Sequence, residues 1–361
     1  ARVRSESYQQ HSALFSANGI QVNYIINPET IVVQSIEHLI EQTEALQILD
    51  FAGGKVQLVA VKAHRGGPLV GNELRSLSQK IPGIRTRIVA VYRKDRAIEV
   101  SGTTVIEADD EAFFLAESKH IGAVLAAFGR SAQPSRRIVI AGGGKIGARL
   151  AERIESRYLL KLVENDHARC IELAKSLFQT IILNGDATDA SLMREEAFVG
   201  SDVYCAVTND DETNILSAML AKRCGVRKTL SIINHPDYLD LIQGDAVDIA
   251  LSPAAFTIGA ILTHIRRGDV LAVHSLRRGA AEAIEIIAHG NDQTSQVVGR
   301  KAKALPLPEG ASIGAILRRD ELLFVTSDTV VETDDRVILF LLDKRRISEV
   351  ERLFQVKSIF L

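Results

Sequence analysis

Two stretches of this 361-residue chain repeat one pattern. Residues 88–110 read IVAVYRKDRAIEVSGTTVIEADD, and residues 313–335, 225 positions later and without a gap, read IGAILRRDELLFVTSDTVVETDD. The alignment keeps Arg93 with Arg318, Asp95 with Asp320, Glu107 with Glu332, and the closing Asp109 and Asp110 with Asp334 and Asp335. A second pair obeys the same offset. Ile26-Asn27-Pro28 opens an apolar-periodic segment ending His38-Leu39-Ile40, and Leu251-Ser252-Pro253 opens one ending Thr263-His264-Ile265. Each proline suits the first turn of a helix, behind an Asn or Ser that can cap it. Self-similarity at a fixed spacing marks duplicated architecture, so the chain holds two copies of one two-part unit.

The copies differ in extent. The second begins with a strand near Arg136, whose counterpart in the first would fall about 90 residues before Ala1. The chain also opens on Ala rather than Met, in a segment like the middle of a Rossmann half. The expectation is an N-terminally truncated form or fragment of a longer protein; the alternative is a protein with one degenerate half. Between the copies, Gly129-Arg130-Ser131-Ala132-Gln133-Pro134-Ser135 is a small, polar, proline-containing linker.

From Arg136 onward, strand and helix patterns alternate. Arg137–Ala141 (RIVIA) is an apolar, β-branched run, as in a parallel strand buried on both faces. It leads into Gly142-Gly143-Gly144-Lys145-Ile146-Gly147, a GxGxxG loop, and then a helical pattern with Ile146, Leu150 and Ile154 on one face. In such a loop Gly142 permits the tight turn, Gly144 lets backbone approach a pyrophosphate, and Gly147 lets helix pack on strand. The helix N-terminus offers N–H groups and a positive dipole end to phosphates.

A lone glycine loop is weak evidence, but its context strengthens it. The next strand, from Leu159, ends at Glu164, 22 residues after Gly142, where a carboxylate can accept from a ribose diol. Asn165 and Asp166 follow rather than an arginine, so a 2′-phosphate is disfavoured and NAD(H) is expected over NADP(H). ATP and ADP carry the same ribose and stay open as ligands. Strands are also expected at Thr180–Leu183 and Val203–Val207, each with a polar closure at its carboxyl end, where open α/β sheets bind ligands. There Asp186 is a candidate for the adenosine end, and Thr208 or Asn209 for the phosphate or nicotinamide end. Asp211 is at least as well explained as the cap of a helix over Glu212–Lys222.

Composition narrows the function classes. Lys plus Arg is 43 and Asp plus Glu 45, a net charge of −2 that offers no basic surface for nucleic acid. No apolar run approaches the roughly 18 residues of a membrane span; Val337–Leu342 reads as a buried strand. No signal-peptide pattern is present. Cys170, Cys205 and Cys224 stand far apart, and read as reduced core thiols rather than zinc ligands. His274 and His289 have no partnering motif and read as structural, which leaves no acid or base for a dehydrogenase.

The regions at about 46–125 and 270–354 share one plan of short strands with a helix or two. Val56–Val61 and Ile88–Tyr92 are strand-like, Leu69–Leu77 reads as helical, and Gly53-Gly54 and Gly66-Gly67 read as turns. Each region is too small and apolar to stand alone, and pairing with the other copy is the simplest solution. Arg266-Arg267 and Arg277-Arg278 read as a solvated connector rather than a docking site for an acidic partner or anionic headgroups. The fold class is therefore α/β: a Rossmann-type doubly wound parallel sheet plus small α+β C-terminal domains, in tandem duplication with the first Rossmann half truncated. The division is 1–42, the rest of a first Rossmann-type domain; 43–128, a first small domain; 129–136, the linker; 137–267, a second, nucleotide-binding Rossmann domain; and 268–361, a second small domain.

Taken together, GGGKIG at Gly142, GDAT at Gly185, TNDDETNI at Thr208, LTHIRRGDV at Leu262, HSLRRGAAEAIE at His274 and DTVVETDDRVILF at Asp328 are far more specific than the glycine loop. Through them essentially the whole chain resembles the TrkA family, NAD-binding regulatory subunits of Trk potassium-uptake systems, of the regulator-of-potassium-conductance type. The resemblance implies a non-enzymatic cytoplasmic protein, peripheral on the inner face of the cell membrane and bound to a potassium-translocating subunit. It implies a homo-oligomeric ring, a tetramer or dimer of dimers, whose shape responds to NAD(H) and ATP or ADP. By position, Gly142 to Gly147, Glu164, Asp186, Thr208 and Asn209 form the second nucleotide site. Arg2 resembles a basic residue of the first site, whose glycine loop would precede Ala1. An NAD-dependent oxidoreductase is the alternative class, and a scaffold with a vestigial pocket a third.

Overall fold

The computed structural model describes residues 22, 24–94, 96–129, 134–196, 198, 200–242, 246–265, 269–277 and 280–356. In chain order the strands are β1 (Ala45–Phe51), β2 (Val56–Lys62), β3 (Thr86–Arg93), β4 (Arg96–Ile98), β5 (Glu111–Glu117), β6 (Arg137–Ala141), β7 (Leu159–Glu164), β8 (Thr180–Asn184), β9 (Val203–Ala206), β10 (Lys228–Ile232), β11 (Ile249–Leu251), β12 (Val270–Leu276), β13 (Ala281–Ile287), β14 (Ala311–Arg318), β15 (Glu321–Phe324) and β16 (Arg336–Leu341). The chain divides into two compact units: Ala1–Thr43 with Gln133–Thr257, and Glu44–Ala132 with Ile258–Leu361.

The first unit is built on a sheet of order β11-β10-β9-β6-β7-β8, parallel at every pairing. Counted from β6 this is the 3-2-1-4-5-6 order of a Rossmann sheet, whose direction reverses between β6 and β9. Ile138–Ala141 and Val203–Ala206 are buried throughout, as strands covered on both faces must be. The helix Lys145–Ile154 buries Gly147, Leu150, Ala151 and Ile154. Against it packs Pro28–Glu41, a helix of the first copy, started by Pro28 and capped by Asn27 Oδ1, which accepts from Thr30 N at 3.1 Å. Val32, Val33, Ile36, Leu39 and Ile40 form its buried stripe. Arg149 donates to Thr30 Oγ1 at 2.6 Å, Arg153 to Glu37 at 2.7 Å and Arg157 to Glu41 at 2.5 Å. Buried Lys228 closes the helix's far end, donating to the carbonyls of Leu39 (2.9 Å) and Gln42 (3.3 Å).

The second unit contains two antiparallel sheets of the same topology, β1-β2-β5-β3-β4 and β12-β13-β16-β14-β15. The duplication reaches the backbone. Register shifts fall at Ala45/Gln47 and Val270/Ala272, and again at Ile88/Ala90 and Ile313/Ala315. Left-handed φ values recur at Lys94 (47°) and Arg319 (45°), and at Asp109 (71°) and Asp334 (66°). Leu49, Phe51, Leu58 and Phe113 of one copy share a core with Leu276, Ala283, Leu317 and Phe340 of the other. Each sheet therefore covers apolar surface that neither small region could bury alone.

Three expectations are corrected here. Residues 69–77 are not a helix: Gly71 takes φ 78°, and Val70 and Glu73 bridge to Ile106 and Val105 before a 3₁₀ turn at Leu74–Ser76. Arg277 is no solvated connector. It donates to Glu111 at 2.8 Å, and its guanidinium lies 4.0 Å from the Tyr92 ring centroid. Arg266, Arg267 and Arg278 lie outside the described residues. Cys170 and Cys205 are buried, whereas Cys224, at the end of the helix Asp211–Arg223, is only half-buried. Among the described residues no helix is long and apolar enough to cross a membrane.

Candidate nucleotide site

At the carboxyl end of β6 the chain must turn within a few residues, beside the end of β9. Gly142 takes φ 106°, and a Cβ there would lie 2.9 Å from Thr208 Cα. At Gly147 a Cβ would fall 1.9 Å from the Gly142 carbonyl oxygen, so helix and turn meet backbone to backbone. A Cβ at Gly143 would come within 2.4 Å of Leu173. Internal packing requires Gly142 and Gly147, where the obstacle is backbone; at Gly143 it is the tip of the Leu173 side chain. Gly144 differs: its φ is −66°, it is exposed, and a Cβ there would meet nothing within 4 Å.

Gly144 is also the N-cap of Lys145–Ile154 and has no side chain to accept from the first-turn amides. Those amides have no intrahelical acceptor, and with the helix dipole they favour an anion. Lys145 is exposed on this turn and Ile146 half-buried. The glycine that packing does not require thus faces the space where a pyrophosphate would approach, and the loop fits a dinucleotide.

Glu164, the last residue of β7, sits over the loop. Its Oε2 accepts from Gly143 N and its Oε1 from Asp166 N, both at 2.8 Å. Two amides thereby fix the carboxylate, while each oxygen keeps a second lone pair for a ribose hydroxyl. Arg169, in the helix His167–Ser176, donates from Nε to the Gly143 carbonyl at 2.9 Å and from Nη1 to Glu172 at 2.9 Å. No arginine directly follows Glu164 in the sequence, and Arg169 was missed; its place one helical turn beyond the Asp166 cap was the available signal.

On the other flank, Thr208 is held by Asn214, a fully buried residue that sequence reading also missed although it lies within TNDDETNI. Asn214 Oδ1 accepts from Thr208 N (2.9 Å) and Oγ1 (2.7 Å), and its Nδ2 donates to the carbonyls of Thr208 (3.1 Å) and Ile232 (3.0 Å). Asn214 thus ties the end of β9 to the end of β10. Asn209 is exposed next to Thr208. Asp186, beyond β8, is exposed and closes a turn, with Oδ1 accepting from Thr188 N (2.7 Å) and Oγ1 (2.8 Å). Asp211 does not cap its helix. Asp210 does, accepting from Thr213 N at 2.7 Å. Buried Asp211 instead accepts from Asn234 N (2.9 Å) and His235 N (2.8 Å). Arg2 lies outside the described residues.

Burial pushes the Cys205 thiol of β9 up to about 12, which keeps it protonated and inert. The histidines read as unpartnered do have partners, both in the second unit. His274 Nε2 is 2.9 Å from the Asp50 carbonyl, and its ring meets Phe51 edge-on. His289 pairs with Asp269 and with Asp334. Among the described residues no group of 3 or more His, Cys, Asp or Glu side chains is placed to hold a metal.

Two domain families match parts of the chain. The TrkA-N domain family matches residues 138–253, and the TrkA-C domain family matches twice, at 58–129 and 292–355. The Trk system potassium uptake protein TrkA of Halomonas elongata is 52% identical over 360 residues, covering 100% of this chain and 79% of that protein. The GsuK RCK domain aligns with TM-score 0.52 at 18% identity, over 98% of this chain and 74% of that one. The GsuK channel bound to NAD aligns with TM-score 0.51 at 16% identity, over 98% and 62%. At these identities the structural likeness establishes the fold alone.

Proposed function

The chain belongs to the TrkA family of Trk-system potassium uptake proteins, and on that premise we propose that it is a regulatory subunit, not an enzyme, that binds NAD(H) and reports the binding to a membrane potassium-translocating subunit. The observation that carries the nucleotide site is the contrast among its glycines: Gly142 and Gly147 answer to backbone packing, while Gly144 leaves open space at a helix N-terminus. In this reading the Gly144 amide and the first turn at Lys145, Ile146 and Gly147 receive the pyrophosphate, and Glu164 receives a ribose diol. Asp186 stands on the adenosine side, and Thr208 and Asn209 on the phosphate or nicotinamide side. ATP and ADP compete through the same ribose. NAD is the first ligand to test, since it is the nucleotide of the channel likened above.

Regulation needs a path out of the site. The helix that starts at the glycine loop carries Arg149 and Arg153, and Arg157 lies in the turn just beyond it; together they hold Thr30, Glu37 and Glu41 of the first copy. A ligand that shifts this helix is felt at Pro28–Glu41, which leads directly into β1. The ligand biases the assembly only by its differential affinity for two shapes; a tenfold difference is worth about 1.4 kcal/mol. A cytoplasmic homo-oligomer, a tetramer or dimer of dimers on the inner membrane face, completes the proposal.

Calorimetric titration with NAD, NADH, ADP and ATP tests it, alongside potassium uptake measured with the membrane subunit present. Undiminished binding by Gly144→Val and Glu164→Ala would sink the site. Substrate-dependent oxidation of bound NADH would replace the sensor with an oxidoreductase.

A further inference from the structure

We infer that Arg169 is a positioning residue that sets the direction of the Gly144 N–H, and with it the affinity of the loop for a pyrophosphate. The inference rests on the nucleotide-site reading above. Gly143 is held at both ends: its N–H donates to Glu164 Oε2 at 2.8 Å, and its carbonyl accepts from Arg169 Nε at 2.9 Å. In a planar trans peptide the C=O of one residue and the N–H of the next point in opposite directions. Drawing the Gly143 carbonyl toward Arg169 therefore turns the Gly144 N–H away from it. The same logic applies one peptide earlier, where Glu164 fixes the Gly143 N–H and so the Gly142 carbonyl.

Glycine needs such help. Without a Cβ, Gly143 and Gly144 reach many backbone conformations, and only some aim an amide at the ligand. A loop held by a carboxylate on one side and a guanidinium on the other is pre-organised, and pre-organisation is repaid as affinity. Arg169 is itself fixed by Glu172 at 2.9 Å and by its place in a helix whose N-cap is Asp166. The Gly144 amide faces phosphate, whereas Glu164 faces ribose, so Arg169 bears on the phosphate part of a ligand and not on its nucleoside.

The test compares two probes on the whole chain. For Arg169→Met, which keeps the aliphatic stem, we expect NAD affinity to fall about tenfold, the scale of one charge-assisted hydrogen bond, with adenosine affinity unchanged. In the ligand-free protein the Gly144 amide resonance should move in the same variant. Equal losses for NAD and adenosine would mean a general structural role and overturn the inference, and so would unchanged NAD affinity. A loss of NAD affinity with an unmoved Gly144 resonance would mean that Arg169 meets the phosphate directly, which overturns positioning. If the unaltered chain binds NAD and only the variant result fails, the nucleotide site stands; if the unaltered chain binds no nucleotide, both fall.

Discussion

Arg318 grips Asp335 with two parallel hydrogen bonds, Nε to Oδ1 and Nη2 to Oδ2, each 2.8 Å long. The carboxylate is fully withdrawn from solvent and also accepts from Glu332 N at 2.8 Å. At the same places in the other copy, Arg93 grips Asp110, and Glu107 N completes the set. The residues that revealed the repeat are thus a clamp that closes each small sheet. Removing one member of a buried pair strands the other, at a cost of about 3–5 kcal/mol. Arg318→Met should lower stability by that amount in urea denaturation, and Arg318→Lys should recover little, since an ammonium cannot form the fork. A loss under about 1 kcal/mol would show that the clamp is not structural.

The glycine loop makes an opposed pair of predictions. Gly147→Ala places a methyl carbon 1.9 Å from the Gly142 carbonyl oxygen, so the first unit should lose about 3 kcal/mol or more whether or not nucleotide is present. Gly144→Ala meets no atom, should melt within about 0.5 kcal/mol of the parent, and should weaken NAD binding. Thermal melts with and without NAD separate the two. Equal melting losses would remove the distinction between packing glycine and ligand glycine.

Asn214→Leu should cost about 3 kcal/mol, because it leaves the carbonyls of Thr208 and Ile232 and the Thr208 amide without a partner. Since Asn214 joins β9 to β10 at the carboxyl edge of the sheet, amide exchange should rise at Thr208 more than at the opposite edge. Uniform acceleration would mean global destabilisation only.

Burial pushes the His274 pKa below its ordinary 6.5, against the Asp50 carbonyl and the charges of Asp50 and Glu285. The fold therefore holds this proton less tightly than the unfolded chain does. The stability contribution is complete above the unfolded value and is lost as pH falls through the depressed folded value. As pH falls below the ordinary 6.5 the second unit should lose stability, and His274→Gln should flatten that slope. An equal slope in the variant would assign the pH dependence to other groups.

Much of the first unit was legible because its signals are local. Buried parallel strands are short apolar runs, and a glycine loop between strand and helix has few structural meanings. What stayed hidden depends on partners distant in sequence. Arg277 looked solvated because Glu111, its acceptor, lies 166 positions away. His274 looked alone because a backbone carbonyl of the other copy carries no side-chain signature. Residues 69–77 have apolar spacing suited to a helix, but Gly71 and the two bridges to Val105 and Ile106 outweigh it. Arg169 and Asn214 act on loop backbone, and that geometry exists only once the sheet has formed.

The chain crosses between the two units at Thr43/Glu44, Ala132/Gln133 and Thr257/Ile258, so neither copy owns a unit. Without the second copy, neither of these two units has its full core. Pro28–Glu41 must wait for the helix Lys145–Ile154, and Gln47 must wait for the Ser275 carbonyl, 228 positions on. Contacts of that separation slow folding and lengthen the exposure of apolar surface. Deleting one copy would not yield a smaller working protein, because it would remove half of the shared core of the second unit and either the Pro28–Glu41 helix or the helix Lys145–Ile154 it packs against. Two fragments severed at residues 132/133 should instead find each other and rebuild both units, since each carries part of what the other lacks.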